Sequence, residues 1–145
     1  MKIFRIFFLF AFYLIIFNSS VTAQTYGKIY LKEEADLTYG PVISSINIKT
    51  ADLQQILDKA GNFILFNIQE GRLTILGEGR KVLCPAGISA DDSTVFKMFS
   101  VSIVRELLLK GKEETTRVEN RKDVLSLTNG AYTLEFAAGC PPICG

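Results

Sequence analysis

The chain of 145 residues is 48% hydrophobic, 21% charged and 11% aromatic, a balance that fits one ordinary globular domain and excludes disordered, collagen-like and multi-domain chains. Lys and Arg number 16 against 15 Asp and Glu, a formal charge of +1, with no like-charge block of the kind nucleic-acid binding requires. Histidine is absent, which removes Ser-His-Asp and Cys-His catalysis and every zinc site that uses imidazole.

The first 23 residues read as a secretory signal peptide. Lys2 and Arg5 form a basic start, residues 6–17 are an uninterrupted apolar run, and Val21 and Ala23 stand three and one positions before the expected cleavage point. Twelve apolar residues span about 18 Å as a helix, short of the ~30 Å hydrocarbon core, so a membrane anchor is the weaker reading. No cysteine follows Ala23 to carry a lipid. The expected mature chain therefore starts at Gln24 and forms a single α+β domain over 24–145, exported to the periplasm or the medium, with no stable membrane anchor. It can bury about two-thirds of its unfolded surface without needing disulfides. No internal repeat, low-complexity tract or linker stands out.

Residues 24–31, with Tyr26, Ile29 and Tyr30, can form a first strand that Glu33, Glu34 and Asp36 interrupt. A better strand is predicted over 42–48, β-branched and opened by Gly40-Pro41. Thr50 then offers an N-cap to a helix over 51–60, whose Leu53, Ile56, Leu57 and Ala60 fall on one face and whose end is marked by Gly61. Residues 63–68 are apolar on both faces, as a covered central strand would be. Turns at Gln69-Glu70-Gly71 and Gly77-Glu78-Gly79 fold 72–76 and 81–84 back on it as a meander, which Pro85 stops.

Residues 91–110 allow either one long helix capped by Asp91-Asp92-Ser93 or a strand over 94–99 followed by a helix over 101–110 capped at Ser100. Thr94, Val95, Phe96 and Phe99 favour the second. Val104, Leu107 and Leu108 give that helix its apolar stripe, closed by Gly111. An exposed strand is expected around 116–119. A terminal hairpin follows, with strands at 124–128 and 131–136 and Asn129-Gly130 in a type I′ turn. The expected fold is a predominantly antiparallel sheet of about six to nine strands, meander plus hairpin, with two short amphipathic helices packed on it.

The most conspicuous chemical constellation is Cys140-Pro141-Pro142-Ile143-Cys144, with Cys84 the only other cysteine. A link from Cys84 to Cys140 or Cys144 closes 57 or 61 residues and is worth about 4 kcal/mol in the chain-entropy account, against about 2 for the small Cys140–Cys144 ring. The near neighbours meet more readily, however, and one thiol is left over in either case. A disulfide using two of the three is the expectation in an oxidising compartment. Redox chemistry is the alternative, although the pair lacks the C-x-x-C spacing and the helix N-terminus of the usual dithiol enzymes. A metal held by the three thiolates lacks a fourth soft ligand.

Gly77-Glu78-Gly79-Arg80 has neither the Lys-Ser/Thr ending nor the helix of a phosphate loop and reads as a turn. Asp91-Asp92 and Glu113-Glu114 lack calcium-loop spacing and read as a cap and a solvated face. In 110–123 the cations Lys110, Lys112, Arg117, Arg121 and Lys122 alternate with Glu113, Glu114, Glu119 and Asp123, giving almost no net field. By exclusion the sequence points to a non-enzymatic binding domain, without cofactor or metal, whose partner is a protein or a cell-envelope component. A thiol-active protein built on Cys84, Cys140 and Cys144, and a hydrolase using two carboxylates about 5–9.5 Å apart across a cleft, are the competing expectations.

Overall fold

A computed structural model describes residues 24–85 and 93–135, together with the backbone of 138–140. Residues 1–23, where a signal peptide is expected, Asp91-Asp92 and Cys144 lie outside the described residues. The fold is α+β, with ten antiparallel strands, but they form two five-stranded sheets instead of one. In chain order the elements are β1 (Lys28–Leu31), α1 (Lys32–Tyr39), β2 (Ser44–Lys49), α2 (Thr50–Leu57), β3 (Phe63–Gln69), β4 (Arg72–Gly77), β5 (Val82–Cys84), β6 (Phe96–Ser100), α3 (Val101–Gly111), β7 (Thr115–Asn120), β8 (Leu125–Asn129), β9 (Tyr132–Glu135) and β10 (Ala138–Cys140). One sheet runs β1-β9-β8-β7-β2 and the other β10-β6-β3-β4-β5. The meander of β3, β4 and β5 forms as expected, with β3 at the centre of its sheet.

The two sheets are halves of one design. A strand, a helix and three meandering strands occur twice, as β2-α2-β3-β4-β5 and as β6-α3-β7-β8-β9. Each unit's first strand crosses to the other unit's meander: β2 pairs with β7, setting Lys49 opposite Thr115, and β6 pairs with β3, setting Ser100 opposite Phe63. Both helix starts are tied to that partner. The Thr50 N–H donates to Glu114 O at 2.8 Å, and the Val101 N–H donates to Asn62 O at 2.9 Å.

The same apolar stripe fills the space between the sheets from both helices. Leu53, Leu57 and Ala60 of the first unit and Val104, Leu107 and Leu108 of the second lie in one core with Ile64, Phe66, Ile75, Phe99, Val118, Leu127 and Leu134. Each helix C-terminus presses on the other end of its own meander. At Gly111 an added Cβ would strike the Asn129 side chain and backbone, and at Gly77 it would stand 2.9 Å from Ala60 O. A side chain at either glycine would force the elements apart.

Four expectations are corrected. Glu33, Glu34 and Asp36 do not merely end β1. They build α1, a third helix, where acids in the first turn suit the helix dipole and the Glu34 carboxylate accepts the Leu31 N–H at 3.3 Å. Neither Thr50 nor Ser100 caps its helix through its side chain. The Thr50 hydroxyl donates to Glu113 O at 2.7 Å and the Ser100 hydroxyl accepts the Tyr26 N–H at 2.8 Å, because the neighbouring strand already engages each helix start.

The terminal hairpin is shifted by one residue. Asn129 pairs with Tyr132, so the turn is Gly130-Ala131. Gly130 alone takes positive φ, at +58°, as in a type II′ turn. Asn129 stays in the strand because its buried side chain is committed elsewhere: Oδ1 accepts the Glu113 N–H at 3.0 Å, and Nδ2 donates to Thr50 and Thr116 hydroxyls at 3.1 and 3.0 Å. Finally, β7 is not an exposed strand. It lies between β8 and β2, and Thr116, Val118 and Glu119 are buried.

Candidate functional site

β2 carries the sequence Ser-Ser-Ile-Asn-Ile-Lys, with Ile46 and Ile48 half-buried toward the core side and the other four residues exposed. In an antiparallel ladder, alternate residues turn both main-chain groups toward the partner strand. The Thr50 N–H bond to Glu114 fixes the phase: Ser44, Ile46 and Ile48 face β7, whereas Ser45, Asn47 and Lys49 turn their N–H and C=O outward. Among the described residues no strand lies on that side.

The equivalent groups in the other unit are engaged. On β6 the outward residues are Phe96, Met98 and Ser100. The Ser100 N–H donates to Tyr26 O at 2.8 Å, and β10 pairs with the rest, Ala138 opposite Met98 and Cys140 opposite Phe96. One edge is therefore covered, and among the described residues no strand pairs with its structural counterpart. The open edge is also regular. β5, the edge strand at the far side of the other sheet, has three residues and an irregular register against β4, features that blunt an edge, whereas β2 has six residues and neither bulge nor proline.

Beside β2, on the outer face of its sheet, lies a recess of about 440 Å³ lined by Asn47, Glu113, Thr115, Arg117, Thr128 and Gly130. Beneath it the face is charged yet closed. Arg121, fully buried, places Nη1 2.8 Å from Asp36 Oδ1, Nη2 3.3 Å from Glu119 Oε2 and Nε 3.3 Å from Glu135 Oε1. Its Nε donates to the Ser126 hydroxyl at 3.1 Å, and Nη1 also donates to Gly40 O. Glu119 is further held by Arg117 Nε at 3.1 Å and by the Thr128 hydroxyl at 2.8 Å.

Burial pushes the Glu135 carboxyl up to about 7, with the Ser126 hydroxyl and Arg121 pulling the other way and Glu119 adding to the rise. The charged partner of that carboxyl is Arg121, whose Nε lies 3.3 Å from Oε1. Asp36 is held below the usual carboxylate range, chiefly by its hydrogen bond from Lys32 and also by Arg121. Tyr39, raised to about 12 by burial and then by its neighbour, donates to the Tyr30 hydroxyl at 3.0 Å.

This cluster gives the physical reason the strand expected to be exposed around 116–119 is not, because Glu119 and the following Arg121 are almost completely buried. It does bring two carboxylates to one place. However, Glu119 and Glu135 both face Arg121 and are exposed by only 2% and 0%. The arrangement supports packing of α1 on the sheet and offers a substrate no access to either acid.

Cys84 and Cys140 are not brought together, and the Cys140–Cys144 pair lies outside the described residues. Cys84, on β5, is a free, half-buried thiol packed against the main core, so the long staple through it is not formed. β10 places Cys140 at the opposite edge of the same five-stranded sheet. Four inter-strand steps are about 19 Å, far beyond the ~7 Å Cα separation a disulfide tolerates. That separation likewise denies Cys84 a role as resolving partner to Cys140. Gly77-Glu78-Gly79-Arg80 makes the β4–β5 turn, and Glu78 Oε2 accepts the Asn62 N–H at 2.9 Å. Glu113 and Glu114 contribute main-chain atoms to the α3–β7 connection. No described helix is long and apolar enough to cross a membrane.

The open edge of β2 was invisible in the sequence, because which strand pairs with which is a long-range fact. The one available signal was the repeated apolar helical stripe, 51 residues apart. Comparison with protein-family models, curated proteins and solved structures returns no match.

Proposed function

We propose that the protein is an exported, non-enzymatic binding module that takes an extended strand from a second polypeptide onto β2. The observation that carries this reading is the inequality of equivalent edges: the main-chain groups of Ser45, Asn47 and Lys49 occupy the positions that β6 fills with Tyr26 and β10. Strand addition draws its affinity from such main-chain groups and its selectivity from alternate side chains. An incoming antiparallel strand would lay apolar residues beside Ile46 and Ile48 and polar ones beside Asn47 and the recess at Arg117. The basic start, apolar run and Ala23 cleavage point support export.

The test is a photo-crosslinking residue at position 47 in the exported full-length chain, with position 54 on α2 as control. An adduct at 47, absent at 54 and lost with Ser45→Pro, supports strand addition. Equal adducts at both positions, or none, would overturn it. The mass of the exported protein should equal residues 24–145, and retention of residues 1–23 would contradict export by cleavage.

A further inference from the structure

Resting on that reading, the residue pattern of β2 itself points to the donor: we infer that the strand added at this edge is β2 of a second copy, paired antiparallel about a two-fold axis through Asn47. The outward main-chain groups sit at Ser45, Asn47 and Lys49, and this spacing is its own complement. With Asn47 opposite Asn47, Ser45 of each copy falls opposite Lys49 of the other, and all three pairs are of the hydrogen-bonded kind. They make about six main-chain hydrogen bonds.

The side chains agree with that register on both faces. On the core side Ile46 of one copy meets Ile48 of the other in the close, non-hydrogen-bonded pairs, twice over. Both isoleucines are only half-buried in the single chain, so pairing covers their remaining apolar surface. On the outer side Ser45 lies beside Lys49 and Asn47 beside Asn47, and no like charges stand directly opposite. The contact is isologous, so it closes at two copies and does not propagate. It joins two five-stranded sheets into one of ten strands. An uncovered six-residue edge without proline or bulge is otherwise a liability for uncontrolled pairing.

Sedimentation velocity of the exported protein from roughly 1 to 500 µM, with two variants, tests this inference. The wild type should show a monomer–dimer equilibrium. Asn47→Pro removes the outward N–H at the axis while leaving the bonds to β7, and should weaken dimerisation at least about tenfold with an unchanged urea midpoint at a dilution where both proteins are monomeric. Ser45→Lys, which sets Lys against Lys49 of the other copy, should weaken it too, and the double variant Ser45→Lys, Lys49→Glu should restore it. That rescue is independent of any folding defect in the proline variant. A monomer throughout, or a dimer indifferent to these changes, would overturn self-pairing. In that case an adduct at position 47 with a different polypeptide would still uphold strand addition, and only the identity of the donor would change.

Discussion

The two sheets share a four-strand arrangement and an inner face but differ in where the fifth strand adds, β1 on β9 in one and β10 on β6 in the other, and on the outside. Inward, Leu73 and Ile75 of β4 correspond to Leu125 and Leu127 of β8, all packed on the common core. Outward, Leu65, Leu76, Phe96 and Met98 form a second apolar cluster on one sheet, whereas the other presents Glu119, Arg121, Ser126, Thr128, Thr133 and Glu135, equally buried. One architecture is thus closed once by apolar contact and once by a charge network beneath α1. The difference shows that the duplicated frame depends on the shared interior, while each outer face is free to specialise.

The largest effect should come from breaking the charged face. Arg121→Met leaves Asp36, Glu119 and Glu135 without their common cation and should cost about 3–5 kcal/mol, measured by urea denaturation. Replacing Arg121, Glu119 and Glu135 together with apolar residues should cost much less, since no buried charge is then orphaned. If Arg121→Met proves neutral, the network does not hold α1 in place.

The second effect is a pH dependence confined to that face. Burial in the folded chain pushes the Glu135 carboxyl from its ordinary 4.5 up to about 7. The folded state therefore holds the proton more tightly than the unfolded state. Stability contributed by the protonated form is complete below about pH 4.5, falls as pH rises to about 7, and is level beyond, a loss on the order of 3 kcal/mol. Glu135→Gln should flatten this slope in denaturation curves taken from pH 4.5 to 8, and an unchanged slope would assign the dependence elsewhere.

A smaller effect tests the duplicated contact. Gly111→Ala and Gly77→Ala push the same helix end away from the same meander position, and each should cost about 1–3 kcal/mol, Gly111 the more because its added Cβ meets the closer atoms. Smallest is Arg105→Ala, which removes the exposed 2.7 Å pair between α3 and Asp58 at the end of α2 and should lower stability in urea denaturation by less than about 1 kcal/mol.

Local patterns carried most of the fold. The central strand at 63–69, the meander that follows it and the stripes of α2 and α3 were legible because their apolar spacing is local. The strand-then-helix reading of 94–110 held as β6 followed by α3. Three things were not legible. α1 was hidden because Glu33, Glu34 and Asp36 look like a strand's end until the helix dipole is considered. β7 looked exposed because Glu119 and Arg121, besides pairing with each other, find partners on β8, β9 and α1 that are distant in sequence. The exchange of β2 and β6 between units, which creates the open edge, follows from pairing over 66–76 residues for β2–β7 and 31–37 for β6–β3 and leaves no local trace.

The most direct test of the unequal edges is residue-resolved amide hydrogen exchange at a dilution where the chain is monomeric. The account predicts rapid exchange at Ser45, Asn47 and Lys49, slow exchange at Ile46 and Ile48 in the same strand, and slow exchange at the counterparts Met98 and Ser100 on β6. Equal protection of Ser45, Asn47 and Lys49 in the monomer would contradict it, since the edge would then be covered within the chain itself.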